Sequence, residues 1–213
     1  MKHFTGILAV ITLSSFVPAL AWADAHMDQE PPTRGELREH SIDLATEGSE
    51  AMREAIVNGT TDQQQIAMYG LTEKGTGKQM GTITAKRTPY GVLFEPQLTG
   101  LSSGIHGFHL HENADCGPSE KAGKVTPGGA AGGHFNPLSG DHRGPYRMGH
   151  LGDLPALYAN ENSEVTVPVL APRLEFGDLK GHALIIHKGG DNYSDQPESL
   201  GGGGARVACG TIE

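Results

Sequence analysis

The residues of this chain best suited to chemistry are its histidines. Eleven occur, and their placement is patterned. Gly107-Phe108-His109-Leu110-His111 sets two imidazoles one residue apart, and Ala183-Leu184-Ile185-Ile186-His187 ends on a third. Successive side chains of a strand face opposite sides, so Phe108 and Leu110 take one face while His109 and His111 take the other. The same alternation sets His187 opposite Leu184 and Ile186. The apolar residues belong to the core, which leaves three imidazoles together on an outer face. An H-x-H pair alone more often describes an exposed strand face.

A second group lies between them, in Ala131-Gly132-Gly133-His134-Phe135-Asn136-Pro137, Asp141-His142-Arg143-Gly144-Pro145 and Met148-Gly149-His150-Leu151-Gly152-Asp153. Three histidines and an aspartate at spacings of eight, eight and three could close a tetrahedral nitrogen and oxygen shell around zinc. The glycines let backbone pass close to an ion. His109, His111 and His187 form an all-nitrogen set that suits Cu(II). His106 shares the parity of Phe108 and is expected to face inward as a hydrogen-bonded support. His182 is off the His187 parity and is expected at the surface.

The elements that must carry these side chains are strands. From Ile66 onward, short β-type segments alternate with Gly, Pro, Asn and Asp, giving eight expected strands near 66–72, 78–87, 90–98, 104–112, 154–159, 163–170, 181–187 and 205–212. Glu73-Lys74-Gly75-Thr76-Gly77 and Thr88-Pro89-Tyr90-Gly91 read as hairpin connections. Two long gaps, 113–153 and 188–204, are expected to be functional loops. The chain has 213 residues and a net charge of −9. That length suits one domain with an appendage, and the acidic balance argues against a nucleic-acid partner. No apolar run after the first 25 residues approaches membrane-spanning length, so no membrane insertion is expected. Cys116 and Cys209, the two cysteines, form no C-x-x-C pair, which excludes a zinc ribbon or a thioredoxin-like site.

The N-terminus reads as an address. Lys2, the apolar run Phe4 to Leu20 and Ala21-Trp22-Ala23 make a signal peptide over 1–23, and hence a periplasmic or secreted protein. Residues 24–65 read as a linker with one marginal amphipathic helix between Glu36 and Asn58. An oxidising compartment permits Cys116 and Cys209 to pair, although two free buried thiols are the alternative. Cleavage after Ala23 would begin the mature chain Asp24-Ala25-His26. Its α-amine, two amide nitrogens and the His26 imidazole could close a square around Cu(II) or Ni(II), an accessory site whose alternative is a plain tail.

Beyond these readings, the chain resembles the exported bacterial copper/zinc superoxide dismutases. The resemblance rests on G-F-H-L-H at 107–111, A-G-G-H-F-N-P at 131–137, G-H-L-G-D-L-P at 149–155, H-K-G-G-D-N at 187–192 and G-G-G-G-A-R-V-A-C-G at 201–210, and spans about 66–213. It implies an all-β, eight-stranded, flattened Greek-key barrel, related to the immunoglobulin-like sandwiches. It implies copper ligands His109, His111, His134 and His187, and zinc ligands His134, His142, His150 and Asp153, with His134 as the bridge. It further implies a Cys116–Cys209 disulfide, Arg206 as the anion-guiding cation, and Asp191 as the carboxylate orienting one ligand of each metal. The implied reaction converts superoxide to oxygen and hydrogen peroxide with copper and zinc alone. Lys121 and Lys124 are weaker candidates for steering the anion. Monomer and homodimer remain equally open. Two other classes compete: a metal-storing protein, which would have no need of Arg206, and a cupin-type oxygenase, for which Asp115 is the loose carboxylate candidate.

Overall fold

Two tight hairpins start the fold. A computed structural model describes residues 62–213. The leader, the helix expected over 36–58 and the His26 site lie outside the described residues. Strands β1 (Gln63–Thr72), β2 (Gly75–Thr88) and β3 (Gly91–Thr99) form an antiparallel meander. Both turns use the same chemistry. Thr72 Oγ1 donates to Gly75 O and accepts from Lys74 N, and Thr88 Oγ1 does the same with Gly91 O and Tyr90 N. Such threonine turns offer the backbone a local substitute for the ladder. The second turn falls on the expected connection; the first opens one residue ahead of it, at Thr72, with β2 starting at Gly75 inside the expected connection, and β1 begins three residues before its expected start.

The remaining strands are β4 (Gly104–His106), β5 (Phe108–His111), β6 (Ser119–Lys121), β7 (Lys124–Thr126), β8 (Leu157–Ala159), β9 (Glu164–Val165), β10 (Val169–Ala171), β11 (His182–His187) and β12 (Arg206–Ile212). The main sheet runs β10-β3-β2-β1-β12-β11-β5, with β9 also on β3. The strand expected over 104–112 is broken at Gly107: β5 pairs with β11, while β4 pairs with β8. With β4 and β5 as one interrupted strand, the ladder continues to β8 and wraps into a curled Greek-key sheet. Pro168, which has no N–H to give, separates β9 from β10 where a single strand was expected. β8 starts only after Pro155. The gap at 113–153 is not wholly irregular either, since β6 and β7 form a small hairpin within it.

Alternation then sorts the side chains. In β3, Val92, Phe94 and Leu98 are buried and their neighbours less so. Phe94 meets Phe108 edge-to-face at 5.4 Å, a contact that contributes about 0.5–1.5 kcal/mol beyond its buried area. Ile66, Met68, Ile83, Leu110, Leu184 and Ile186 join this core. On the opposite face of β11 and β12, Ala183, Ile185, Cys116, Cys209 and Ala131 make a second cluster. The Cys116–Cys209 disulfide lies in it and closes a separation of 93 residues, which contributes about 4–5 kcal/mol in the chain-entropy account. It anchors the start of the long loop to β12.

Candidate metal centre

His109 and His111 do face away from Phe108 and Leu110, but the outer face is not open. Both are fully buried, because the loop between β5 and β8 folds back over them. Its strands of chain run against β5: Phe135 N donates to Leu110 O, Leu110 N to Gly152 O, and Gly152 N to Phe135 O. Bridges pair His109 with Asp153 and His111 with His134. Backbone pairing therefore places the loop residues beside the strand histidines. Gly152 permits the approach, since a Cβ there would stand 2.2 Å from Leu110 O.

His109, His111, His134 and His187 offer donor atoms within 4.8 Å of one another. In three of them one ring nitrogen is tied to the protein: His109 Nε2 to Asp191 Oδ2 at 2.8 Å, His111 Nδ1 to Gly132 O at 3.0 Å, His187 Nδ1 to Gly204 O at 3.1 Å. The other nitrogens, His109 Nδ1, His111 Nε2 and His187 Nε2, are buried without any partner among the described residues. A buried polar atom left unpaired costs about 1–3 kcal/mol. Three lone-pair donors converging in this state fit a nitrogen-liking cation.

On the other side of His134, three ring nitrogens meet one carboxylate oxygen. Asp153 Oδ1 lies 3.0 Å from His134 Nδ1, 2.9 Å from His142 Nδ1 and 3.1 Å from His150 Nδ1. Asp153 Oδ2 accepts from the amides of Arg143 and Gly144, which fixes the carboxylate. A second 4.8 Å grouping contains His109, His134, His142 and Asp153, with His109 where His150 is expected. His109 Nε2 is already held by Asp191, whereas His150 Nδ1 points at the shared oxygen. His150 therefore joins His134 and His142 around Asp153 Oδ1, although the 4.8 Å grouping leaves it out; nitrogen and oxygen donors gathered in this way are of the kind zinc accepts.

Asp191 spans both halves. Its Oδ2 takes His109 Nε2, its Oδ1 takes His142 Nε2 at 2.8 Å, and Tyr193 N donates to the same Oδ1. Burial holds His109 at about 3 and His187 at about 4, and lowers His111 and His134 too. These rings stay neutral, as metal ligands must. Burial also acts to lower His142, but its bonds to Asp153 and Asp191 outweigh it and raise it to about 9. Burial pushes Asp153 and Asp191 up, yet the surrounding imidazoles hold both carboxyls well below the usual range. One half thus presents neutral nitrogens and the other a carboxylate paired with a protonated imidazole.

Arg206 reaches this region through an irregularity. Ile185 pairs with Cys209 and Ile186 with Ala208, so His187 would next face Val207; a bulge brings Arg206 opposite it instead. The guanidinium donates to Gly128 O and Gly132 O, and Gly132 O also holds His111. It lines a cavity of about 280 Å³ with His111, His134, His187, Glu198 and Leu200. Arg206 is half-buried, not a surface strand cation. Lys121 and Lys124 pair with each other on the exposed β6–β7 hairpin and do not line that cavity. Asp115 is exposed and accepts from Gly117 N, which removes the cupin-type reading.

His106 is buried, with Nδ1 on His187 O and Nε2 on Ser102 O, the inward support its parity suggests. His182 departs from expectation. It is partly buried, with Nδ1 on Glu112 O and His111 O and its ring 4.2 Å from Phe135, because the folded-back loop covers that strand end as well. Sequence reasoning missed Asp195, whose carboxylate accepts from both His142 N and Leu200 N, and Arg173. No motif marks either, since their partners are backbone atoms, and all but Leu200 N are distant in sequence.

The family described as "Copper/zinc superoxide dismutase (SODC)" matches residues 79–212. The superoxide dismutase [Cu-Zn] of Photobacterium leiognathi is 55% identical over 145 residues, covering 67% of this chain and 84% of that one. Among solved structures, the Cu/Zn superoxide dismutase from Brucella abortus superposes with a TM-score of 0.70 at 47% identity, covering 71% of this chain and 100% of that one. The monomeric copper, zinc superoxide dismutase from Salmonella enterica gives 0.66 at 47% identity, with coverage of 71% and 100%.

Proposed function

Because the chain belongs to the copper/zinc superoxide dismutase family, we propose that His109, His111, His134 and His187 hold copper, and that His134, His142, His150 and Asp153 hold zinc. The enzyme disproportionates superoxide to oxygen and hydrogen peroxide. The observation that carries the ligand assignment is the trio of buried, unpartnered nitrogens on His109, His111 and His187, beside a His134 whose Nδ1 already faces Asp153. That orientation leaves His134 Nε2 for the copper side, making the ring a bridge.

Copper held by His109, His111, His134 and His187 would supply a one-electron couple, and zinc held by His134, His142, His150 and Asp153 would supply a fixed positive charge. The protein does the rest. Arg206 attracts the anion into the cavity and orients it with planar N–H donors. Forming hydrogen peroxide consumes protons, and the His134 imidazole is the group placed to carry one into the cavity. Asp191 keeps the rings of His109 and His142 turned so that their other nitrogens face the ions.

Among the described residues no helix is long and apolar enough to cross a membrane. The disulfide and the bacterial relatives accord with a place outside the cytoplasm. We assign that place to the periplasm or the external medium, reached through the 1–23 leader, with a linker carrying one marginal helix ahead of β1 and the catalytic domain running from β1 to Glu213. The test is metal analysis and superoxide consumption on one oxidised sample. One copper and one zinc per chain are expected, with His134→Ala depleting both and His142→Ala chiefly zinc. Equal loss of both metals in both variants would contradict the bridge.

A further inference from the structure

Arg173 has no place in the reading above, yet its guanidinium is committed to the loop that carries His142 and His150. It follows β10 between Ala171 and Leu174, both buried in the main core, so its stem rises from the rigid sheet. Nη1 donates to His150 O at 3.1 Å and, more weakly, toward Gly144 O at 3.4 Å; Nη2 donates to Gly149 O at 2.8 Å. Among the described residues it forms no ion pair with a carboxylate. All of its hydrogen bonding goes to three main-chain carbonyls.

Those carbonyls lie on the two sides of one neck. Between Gly144 and Gly149 the chain makes an excursion whose residues Tyr146, Arg147 and Met148 are exposed. The guanidinium clasps the stems of that excursion. Each stem leads directly to the zinc side of the centre. Gly144 N donates to Asp153 Oδ2, and His150 turns its Nδ1 to Asp153 Oδ1. The amide of His150 is held by Asp141 O, so its carbonyl bond to Arg173 completes the fixation of its backbone.

We propose that Arg173 is a positioning residue for zinc: by clasping the 144–150 neck it fixes where the His150 ring and the Asp153 carboxylate stand, and so sets zinc affinity. The inference rests on the reading of His134, His142, His150 and Asp153 as the zinc donors. A planar fork is what the task requires. A lysine ammonium is a point charge on a flexible stem and cannot offer two nitrogens in a fixed fork to three carbonyls. Outer partners of metal ligands typically control affinity by about 10- to 100-fold.

The test uses the full chain loaded with copper and zinc. Zinc transfer to a chromophoric chelator is measured for the parent, Arg173→Met, Arg173→Lys and His150→Ala. Arg147→Met, on the exposed tip, serves as the control for loss of one positive charge. Arg173→Met is expected to weaken zinc binding by about 10- to 100-fold with copper content unchanged, Arg173→Lys to fall between, and Arg147→Met to match the parent. Cobalt(II) placed in the zinc site gives an independent readout, since its visible bands report tetrahedral order and should weaken in Arg173→Met. A merely structural role would lower the melting temperature of metal-free and loaded protein alike, whereas positioning reduces the increment that zinc adds. If Arg173→Met does not fold, the lysine variant decides, with weaker zinc binding than the parent expected. Zinc affinity and cobalt bands like the parent's in the folded Arg173 variant overturn the clasp. Full zinc affinity in His150→Ala overturns the donor assignment instead.

Discussion

Replacing Gly201 by alanine drives a methyl carbon into the carboxylate that joins the two halves of the centre. Gly201 has φ +73°, and a Cβ built there would stand 1.9 Å from Asp191 Oδ1 and 2.8 Å from His142 Nε2. Gly204 is the matched control, with φ +69° and nothing within 4 Å of its Cβ. Both substitutions carry the same left-handed backbone penalty, about 1–2 kcal/mol, and the same gain from a stiffer unfolded chain, about 0.4–1 kcal/mol. These cancel in the comparison. What remains at Gly201 is the displacement of Asp191 Oδ1, which accepts from His142 Nε2 and Tyr193 N. Hydrogen bonds to a charged group contribute about 1.5–3 kcal/mol each. Gly201→Ala should therefore be roughly 3–6 kcal/mol less stable than Gly204→Ala, on the order of 10 °C in melting temperature for a domain this size. Calorimetry on the metal-loaded proteins reads the difference, and metal analysis should find both ions depleted in Gly201→Ala alone. Two variants within about 1 kcal/mol of each other, with equal metal contents, would refute the reasoning that Gly201 is kept bare for Asp191.

Two further outcomes follow from charge. Because Arg206 and Glu198 line the same cavity in a chain of net charge −9, superoxide consumption should fall about tenfold or more in Arg206→Ala and rise in Glu198→Gln; the Glu198 effect should shrink as salt shortens the Debye length to about 10 Å at 0.1 M, and a salt-independent difference would count against steering. The metal-free protein should be most stable near pH 6.5. His109 at about 3 and His187 at about 4 bind protons only when unfolded between those values and 6.5, so stability drops on acidification by about 2 kcal/mol per ring at pH 5. His142, raised to about 9, contributes stability that is full below 6.5 and is lost as pH rises through 9. Melting curves at pH 5, 6.5 and 9 test both arms, and a flat profile would show that the rings titrate normally.

What could be read in the sequence was whatever depends on local alternation. The parity of Phe108, His109, Leu110 and His111 assigns each side chain its face without any knowledge of the rest of the chain, and the turns at Thr72 and Thr88 announce themselves by their own residues. Breaks inside strands were legible only in part: Pro168 marks one, but nothing about Gly107 says that its two flanks pair with different partners. Burial of the outward histidines was not legible, because it comes from the loop pairing with β5 through main-chain groups. Arg206 illustrates the limit most clearly. Strand parity alone puts it on the face opposite Cys209, and only the bulge beside His187 turns it into the cavity; bulges commonly re-aim side chains next to active sites.

The difference in donor atoms between the two halves bears on how one chain keeps two metals apart. Cu(II) outranks zinc at almost any site of nitrogen and oxygen donors, so selectivity must come from geometry and ligand type and not from affinity alone. Under the proposed assignment the copper half is all imidazole, its rings held neutral by burial, and each spare nitrogen is locked to a carbonyl or to Asp191. The zinc half is built around Asp153, whose second oxygen is fixed by two amides, which suits a tetrahedral ion that accepts oxygen and nitrogen alike. The histidines of the first half stand on β5 and β11, whose pairing leaves little freedom. Those of the second stand on a loop held by Asp195, Arg173 and Asp191. Distortion should therefore reach the zinc half first, and the copper half only through the two groups they share, His134 and Asp191.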